Sequence, residues 1–226
     1  MLTQIGDVPN ELPALEVLEP LFMNAGVGPR GRIVLYSRDP ILATRAWFTL
    51  DYLGCGDRTS ILDGGFTRWL AEGRTTSTET ERPKPSTFQA RLRPETLTRI
   101  NAIRNLVRWR ETLGSDFMLI DARSPAQFYG EEAGADILCR GHIPGAVNVP
   151  WSSNFTGGDA PVFLGADQLR TIYGRAGVSA TTANIIYCRT GMQASIDYFV
   201  LKYLGYDAIL YDGSFIEWSN AGEQID

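Results

Sequence analysis

Cysteine and histidine are scarce in this chain, which has three cysteines and one histidine among 226 residues. An odd number of cysteines in a chain of this length does not indicate a disulfide framework. A structural zinc site is not expected either, because there is no Cys-x-x-Cys pair and only one histidine. The thiols are therefore predicted to be free, as in a reducing compartment, and no metal is predicted.

Long apolar runs and excess positive charge are missing as well. No apolar run reaches the roughly 18–20 residues that a membrane helix needs. The N-terminus carries Asp7 and Glu11 instead of the basic region of a secretory signal. The net charge of −5 argues against non-specific nucleic-acid binding. We expect a globular, cytoplasmic protein with neither a membrane nor a nucleic acid as partner.

The cysteine with the most informative surroundings is Cys188. It opens a loop, CRTGMQAS, between an apolar run ending at Tyr187 and a helical pattern from Ile196 to Leu204. Unpaired backbone N–H groups at the start of a helix lie at the positive end of its dipole, so they favour a thiolate and can hold an anion beside it. The pattern predicts a nucleophilic cysteine with an anionic substrate or intermediate; the alternative is a buried structural thiol.

Two other cysteine chemistries are disfavoured by the neighbouring residues. A phosphatase or arsenate reductase needs an arginine that closes a Cys-x5-Arg loop around the oxyanion, but that position is Ala194. A Cys-His hydrolase would need His142 as its base. This histidine lies in the turn GHIPG at 141–145, where we expect a hydrogen-bonded structural role. Cys139 before the turn is expected to be an ordinary loop thiol, with a redox role as the alternative.

The chain also resembles itself. Residues 37–54 match residues 188–205, at an offset of 151 before the helix and 149 after it. Each stretch is preceded by Ala-Gly-Val and followed by an Asp-Gly turn and a tryptophan. This order indicates two copies of one α/β unit. Ser37 stands in the place of Cys188, and Pro40 replaces the loop glycine, so the first copy is predicted to be inactive.

The first copy is short, because nothing ahead of its loop matches residues 119–150. Either the chain begins partway through its first domain, or that domain is truly reduced. We predict a partial, inactive domain over 1–74, a surface linker over 75–94 and a catalytic domain over 95–226. The last alternates helix and strand patterns, beginning with a helix from Glu95 to Leu113. This alternation predicts an α/β fold with a mainly parallel sheet covered on both faces.

Four stretches together are similar to motifs of the rhodanese (sulfurtransferase) superfamily. They are DARSP at 121–125, GHIPGA at 141–146, YCRTG at 187–191, and YDGS at 211–214 with Glu217-Trp218. The resemblance implies a three-layer α/β/α rhodanese-like fold, as a tandem repeat with an incomplete first copy. That copy looks like the latter part of the inactive N-terminal domain of two-domain thiosulfate or mercaptopyruvate sulfurtransferases.

The resemblance also implies the chemistry, which is sulfur transfer through a covalent intermediate. The Cys188 thiolate would attack the outer sulfur of thiosulfate or 3-mercaptopyruvate, with sulfite or pyruvate leaving. A thiophilic acceptor, such as cyanide or a thiol, would then take the sulfur from the Cys188 persulfide. No metal or organic cofactor is required. The alternative is a non-catalytic sulfur-carrier or binding module.

On this basis the site consists of the nucleophile Cys188 and the residues expected to bind the donor, which are Arg189, Thr190, Gly191, Met192, Gln193, Ala194, Arg123 and Gln127. An ion pair that holds the cradle is the favoured role of Arg123, with anion binding as the alternative. Vertebrate-type thiosulfate enzymes carry lysine at the position of Thr190 and arginine at that of Gln127. Mercaptopyruvate enzymes usually carry glycine at the position of Arg189. The loop therefore matches neither type, and both donors remain alternatives.

Overall fold

The computed structural model describes residues 2–80, 82–113 and 117–226. The elements of the N-terminal part are β1 (Thr3–Ile5), β2 (Val8–Glu11), α1 (Leu15–Asn24), β3 (Ile33–Leu35), α2 (Pro40–Tyr52), β4 (Thr59–Ile61) and α3 (Gly65–Ala71). Those of the C-terminal part are β5 (Leu97–Thr98), α4 (Ile100–Leu113), β6 (Phe117–Asp121), α5 (Pro125–Phe128), β7 (Val147–Asn148), α6 (Ala166–Arg175), β8 (Ala183–Tyr187), α7 (Ala194–Tyr203), β9 (Ala208–Tyr211) and α8 (Ser214–Asn220).

A five-stranded sheet organises the C-terminal part, in the order β5-β9-β8-β6-β7. Every neighbouring pair of its strands is parallel. The carboxyl ends of β6, β8 and β9 therefore meet at one edge of the sheet, where loops lead into helices. The α/β class and the mainly parallel sheet predicted from the sequence are confirmed.

Alternate residues of β8 point to opposite faces of this sheet. Ile185 and Tyr187 pack with the apolar residues of α4 and α8. Ile186 and Cys188 pack with those of α6 and α7. Helices on both faces give the three layers that the sequence predicted. Cys188 thus lies at the carboxyl end of the central strand, on the face covered by α6 and α7.

Helix α2 of the N-terminal part packs against α7. The rings of Phe48 and Tyr198 meet edge-on with centroids 4.9 Å apart, and those of Trp47 and Phe199 lie 5.1 Å apart. The Tyr198 hydroxyl donates to the buried carboxylate of Asp51 at 2.6 Å. Because Trp47 and Phe48 belong to the same apolar cluster as β8 and α7, the two parts of the chain share one core.

The small sheet of the N-terminal part has the strand pairing of the larger one. Strands β3 and β4 are parallel, with Ile33 opposite Thr59. Strands β8 and β9 are parallel, with Asn184 opposite Ala208. The sequence repeat aligns Ile33 with Asn184 and Thr59 with Ala208, so the register is the same at the aligned positions.

The chain before α4 differs from the sequence prediction. The expected helix from Glu95 to Leu113 begins only at Ile100, because Leu97–Thr98 pairs with β9 at the edge of the sheet. Residues 75–94, predicted as a surface linker, contain Phe88, which is buried against Phe22. The latter half of this segment is thus packed along the N-terminal part, and the domain boundaries stay a prediction.

The helices in the described part of the chain bear on whether it could span a membrane. No helix there is both long enough and apolar enough to cross a bilayer.

The hydrogen bond between Tyr198 and Asp51 generates a first prediction. Tyr198→Phe leaves one oxygen of a buried carboxylate without this donor, and we expect it to lower the free energy of unfolding by about 1–3 kcal/mol. Tyr203→Phe on the same helix is the control, since its ring is 62% exposed. Urea denaturation measures both variants. Equal midpoints for both variants would contradict a stabilising role of this bond.

Candidate active site

The main chain of Cys188 is fixed between the end of β8 and the start of α8. The Cys188 carbonyl accepts from Phe215 N at 2.9 Å, and its N–H donates to Ser214 Oγ at 3.3 Å. The Ser214 hydroxyl in turn donates to the carbonyl of Tyr211. The turn that follows β9 therefore sets the position of the cysteine, which is 1% exposed.

Two opposing effects act on the Cys188 thiol. Burial raises its pKa, whereas the backbone N–H groups of Ala194, Thr190 and Gln193 donate to the sulfur and lower it. Burial is the larger effect, so the pKa lies above the ordinary value of 9.0. The sequence pattern predicted donors of this kind around the sulfur. It did not predict the burial that opposes them, and the preference for the thiolate stays a prediction.

Gly191 occupies a position in the loop that only glycine fits. Its φ is +77°, in the left-handed region, and a Cβ atom there would lie 2.8 Å from the carbonyl oxygen of Asp212. Its own carbonyl accepts from Arg45 Nη1 at 3.3 Å. The loop is thereby packed closely against the turn after β9.

Arg123 is committed to protein partners. Its Nη2 atom lies 2.6 Å from Asp121 Oδ2 and donates to the Gly141 carbonyl at 2.8 Å. Its guanidinium lies 3.8 Å from the centroid of the Phe215 ring. Burial alone would lower the pKa of Arg123, but hydrogen bonding and charge from Asp121 raise it overall. This arrangement fits the ion pair that the sequence favoured more than direct donor binding.

The other expected donor-binding residues differ in their surroundings. Arg189 donates to the Ala135 carbonyl at 3.1 Å. The Thr190 hydroxyl accepts from Asn10 Nδ2 at 3.1 Å. Gln127 lies in α5, and no hydrogen bond joins its side chain to the loop within the described residues. Met192 and Gln193 are half-buried, whereas Thr190 and Ala194 are buried.

Arg45 and Asn10 of the N-terminal part reach the loop, and sequence reasoning missed both. Arg45 of α2 lies 2.6 Å from Asp212 and is 3% exposed. Asn10 contacts Thr190, and its own carbonyl accepts from Arg45 at 2.8 Å. The one available signal was an arginine within the apolar stretch Ala-Thr-Arg-Ala-Trp-Phe.

His142 and the remaining thiols stand apart from this chemistry. Nδ1 of His142 lies 3.0 Å from the Phe128 carbonyl oxygen, and its ring stacks on that of Phe128 at 3.8 Å. These contacts fit the structural histidine that the sequence predicted. Cys139 is exposed, Cys55 is buried, and neither forms a disulfide.

The loop presents backbone N–H donors, and not metal ligands, to an anion. Within the described ranges, no three His, Cys, Asp or Glu side chains converge so that they could hold a metal ion. The N–H groups of Thr190, Gln193 and Ala194 converge on the sulfur, and converging backbone donors can stabilise a thiolate, a persulfide or an anionic donor. The arrangement is suited to nucleophilic attack by sulfur on a small anion.

The raised pKa of Cys188 predicts how its reactivity depends on pH. A higher pKa leaves less thiolate at neutral pH, so alkylation by iodoacetamide should increase about tenfold per pH unit without a plateau below about pH 9. Mass spectrometry of the Cys188 peptide measures the rate, and the exposed Cys139 serves as internal control. A plateau below about pH 8 would contradict this prediction.

Comparisons with known proteins are in keeping with this geometry. The model of the family described as "Rhodanese-like domain" matches residues 105–221. Solved structures match as well, among them an anaerobic ergothioneine biosynthesis enzyme from Chlorobium limicola with a TM-score of 0.78 and 24% identity. That match covers 93% of this chain and 54% of the other, so the chain spans about half of the solved protein. At this identity the likeness shows the fold alone.

Relatives of similar sequence are named for sulfur carriage or for sulfur transfer from different donors. The chain is 32% identical over 213 residues to the sulfur carrier protein TtuD of Thermus thermophilus, covering 88% of this chain and 72% of the relative. It is 31% identical over 220 residues to 3-mercaptopyruvate sulfurtransferase of Escherichia coli, covering 93% and 73%. It is 33% identical over 203 residues to thiosulfate sulfurtransferase of Rattus norvegicus, covering 86% and 65%.

Proposed function

This chain belongs to the rhodanese-like family, and from that membership we propose that it moves sulfane sulfur through a persulfide on Cys188. The observation that carries the proposal is the position of the Cys188 sulfur. It lies between the end of β8 and the start of α7, with the N–H groups of Thr190, Gln193 and Ala194 donating to it. This setting supplies a nucleophile and an anion site at the same atom.

The proposed reaction has two displacements. With thiosulfate, the Cys188 thiolate attacks the outer sulfur, a new S–S bond forms, and the old S–S bond breaks with its electron pair leaving on sulfite. With 3-mercaptopyruvate, the C–S bond breaks instead, and the carbon takes up a proton to give pyruvate. Cyanide or a thiolate then attacks the outer sulfur of the persulfide and returns the Cys188 thiolate.

The donor is proposed to be thiosulfate or 3-mercaptopyruvate, bound mainly by the loop between Arg189 and Ala194. Arg123 is occupied by Asp121, so the loop N–H groups are left to hold the anionic end of the donor. The relatives described above include enzymes named for each donor. The absence of a lysine at Thr190 removes a charge that would favour the thiosulfate dianion.

A tandem repeat with an incomplete, inactive first copy is part of the proposal. Its support is the common register of the β3–β4 and β8–β9 pairs and the Ser37-to-Pro40 segment, which has neither the cysteine nor the glycine. The proposed units are residues 1–74, 75–94 and 95–226. A cytoplasmic location also belongs to the proposal, because the three cysteines are unpaired.

A sulfur-carrier role is the second candidate. It is favoured by the relative named as a sulfur carrier protein, which shares 32% identity with this chain. The closed surroundings of Cys188 also fit this role, since a carrier needs a protected persulfide. In that case the sulfur would come from a protein donor, and small donors would load Cys188 slowly.

Intact mass spectrometry tests the proposed function. After incubation with thiosulfate, and separately with 3-mercaptopyruvate, we expect the protein to gain one sulfur atom and to lose it again on addition of cyanide. Cys188→Ser should gain none, while Cys139→Ser, the matched thiol control, should gain as much as the parent. A sulfur gain in Cys188→Ser would refute the mechanism. A parent that is loaded only by a protein donor would favour the carrier.

The charge at position 190 predicts the donor preference. We expect Thr190→Lys to lower the KM for thiosulfate about tenfold, because it places a cation beside a dianion. The KM for 3-mercaptopyruvate should change less, because that donor carries less charge. Steady-state kinetics measure both, with Thr190→Met as the control that removes the hydroxyl without adding charge. An equal effect of both substitutions would contradict the electrostatic explanation.

A further inference from the structure

Arg45 is a buried cation whose hydrogen bonds are incomplete. Its Nη2 atom pairs with Asp212 at 2.6 Å, and both side chains are almost fully buried. Its Nε atom is buried and has no hydrogen-bond partner within the described residues. Desolvation offsets much of the attraction in a buried ion pair, and an unpaired buried donor adds a further cost. Stability alone therefore does not explain an arginine at this position.

The contacts of Arg45 converge on the Cys188 loop. Nη1 donates to the Gly191 carbonyl at 3.3 Å, while Nη2 contacts Asp212 and the Asn10 carbonyl. A trans peptide directs its carbonyl and its N–H to opposite sides. When the Gly191 carbonyl faces Arg45, the N–H of Met192 must therefore face away from Arg45. The forked guanidinium of Arg45 binds acceptors on both sides of this junction.

We propose that Arg45 is a positioning residue, which ties the Gly191 carbonyl to Asp212 and so holds the loop N–H groups around the Cys188 sulfur. The donors to that sulfur, Thr190, Gln193 and Ala194, lie on either side of the peptide that Arg45 holds. The proposal deepens the proposed function, because it assigns part of the active loop's geometry to a side chain from the N-terminal part.

The charges around the loop indicate that removing Arg45 would make an anion at Cys188 less favourable. Asp121 and Arg123, at the end of β6, are paired with each other. Asp212, after β9, pairs with Arg45, and Arg99 lies 3.8 Å from its other oxygen. Without Arg45, Asp212 loses its nearest cation, and the Gly191 peptide is free to turn. Both changes disfavour an anion at Cys188.

The test compares Arg45→Met and Arg45→Lys with a matched control, Arg93→Met. Arg93 forms another ion pair with a buried carboxylate of α2, with Nη1 2.8 Å from Asp51 Oδ1, and has no hydrogen bond or ion pair with the loop in the described residues. Each variant is assayed for the pH profile of Cys188 alkylation by iodoacetamide and for its thermal midpoint. Alkylation needs no sulfur donor, so its result stands whether or not the parent transfers sulfur.

We expect Arg45→Met to shift the alkylation profile to higher pH, with a rate at pH 8 about tenfold lower. Arg45→Lys should recover part of the shift, because it restores the charge but not the fork, and it carries the test if Arg45→Met does not fold. Arg93→Met should lower the midpoint while keeping the parent profile. Profiles of the Arg45 variants that superimpose on the parent, or an equal shift in Arg93→Met, would overturn the proposal.

Discussion

The geometry around Cys188 depends on the hydrogen bonds that the buried carboxylate of Asp212 accepts. One of its oxygens accepts from Arg45 at 2.6 Å and the other from the N–H of Leu12 at 2.8 Å, while its carbonyl lies against Gly191. The turn after β9, the loop after β8 and two segments of the N-terminal part thus meet at one fully buried residue. A buried carboxylate needs hydrogen-bond partners, so its burial favours the arrangement in which these segments are held together.

The pKa of the Cys188 thiol reflects a balance between burial, which raises it, and hydrogen bonds from backbone N–H groups, which lower it. Burial places Cys188 where its thiolate is poorly solvated, and the loop N–H groups return part of that stabilisation. The donors are fixed by the backbone before any substrate arrives, so they do not have to reorganise when negative charge develops.

The N-terminal part supports this site without a cysteine of its own at the matching position. Its helix α2 supplies Phe48 to the common core and Arg45 to the loop. Thr44 is 2.9 Å from Ser195, at the first turn of α7. These contacts explain why a segment with Ser37 in the place of the nucleophile is still packed against the helix that follows the nucleophile.

Local patterns in the sequence determined the elements and the chemistry they carry. The alternation of helix and strand patterns predicted the mainly parallel sheet, and the strand-loop-helix pattern identified Cys188. Only the tertiary structure decided what surrounds the sulfur. Arg45 reaches Gly191 across 146 positions in the chain and Asp212 across 167. The burial of Cys188 likewise depends on the segments that pack around the loop. Such contacts have no local period, since they form only when distant segments share one core.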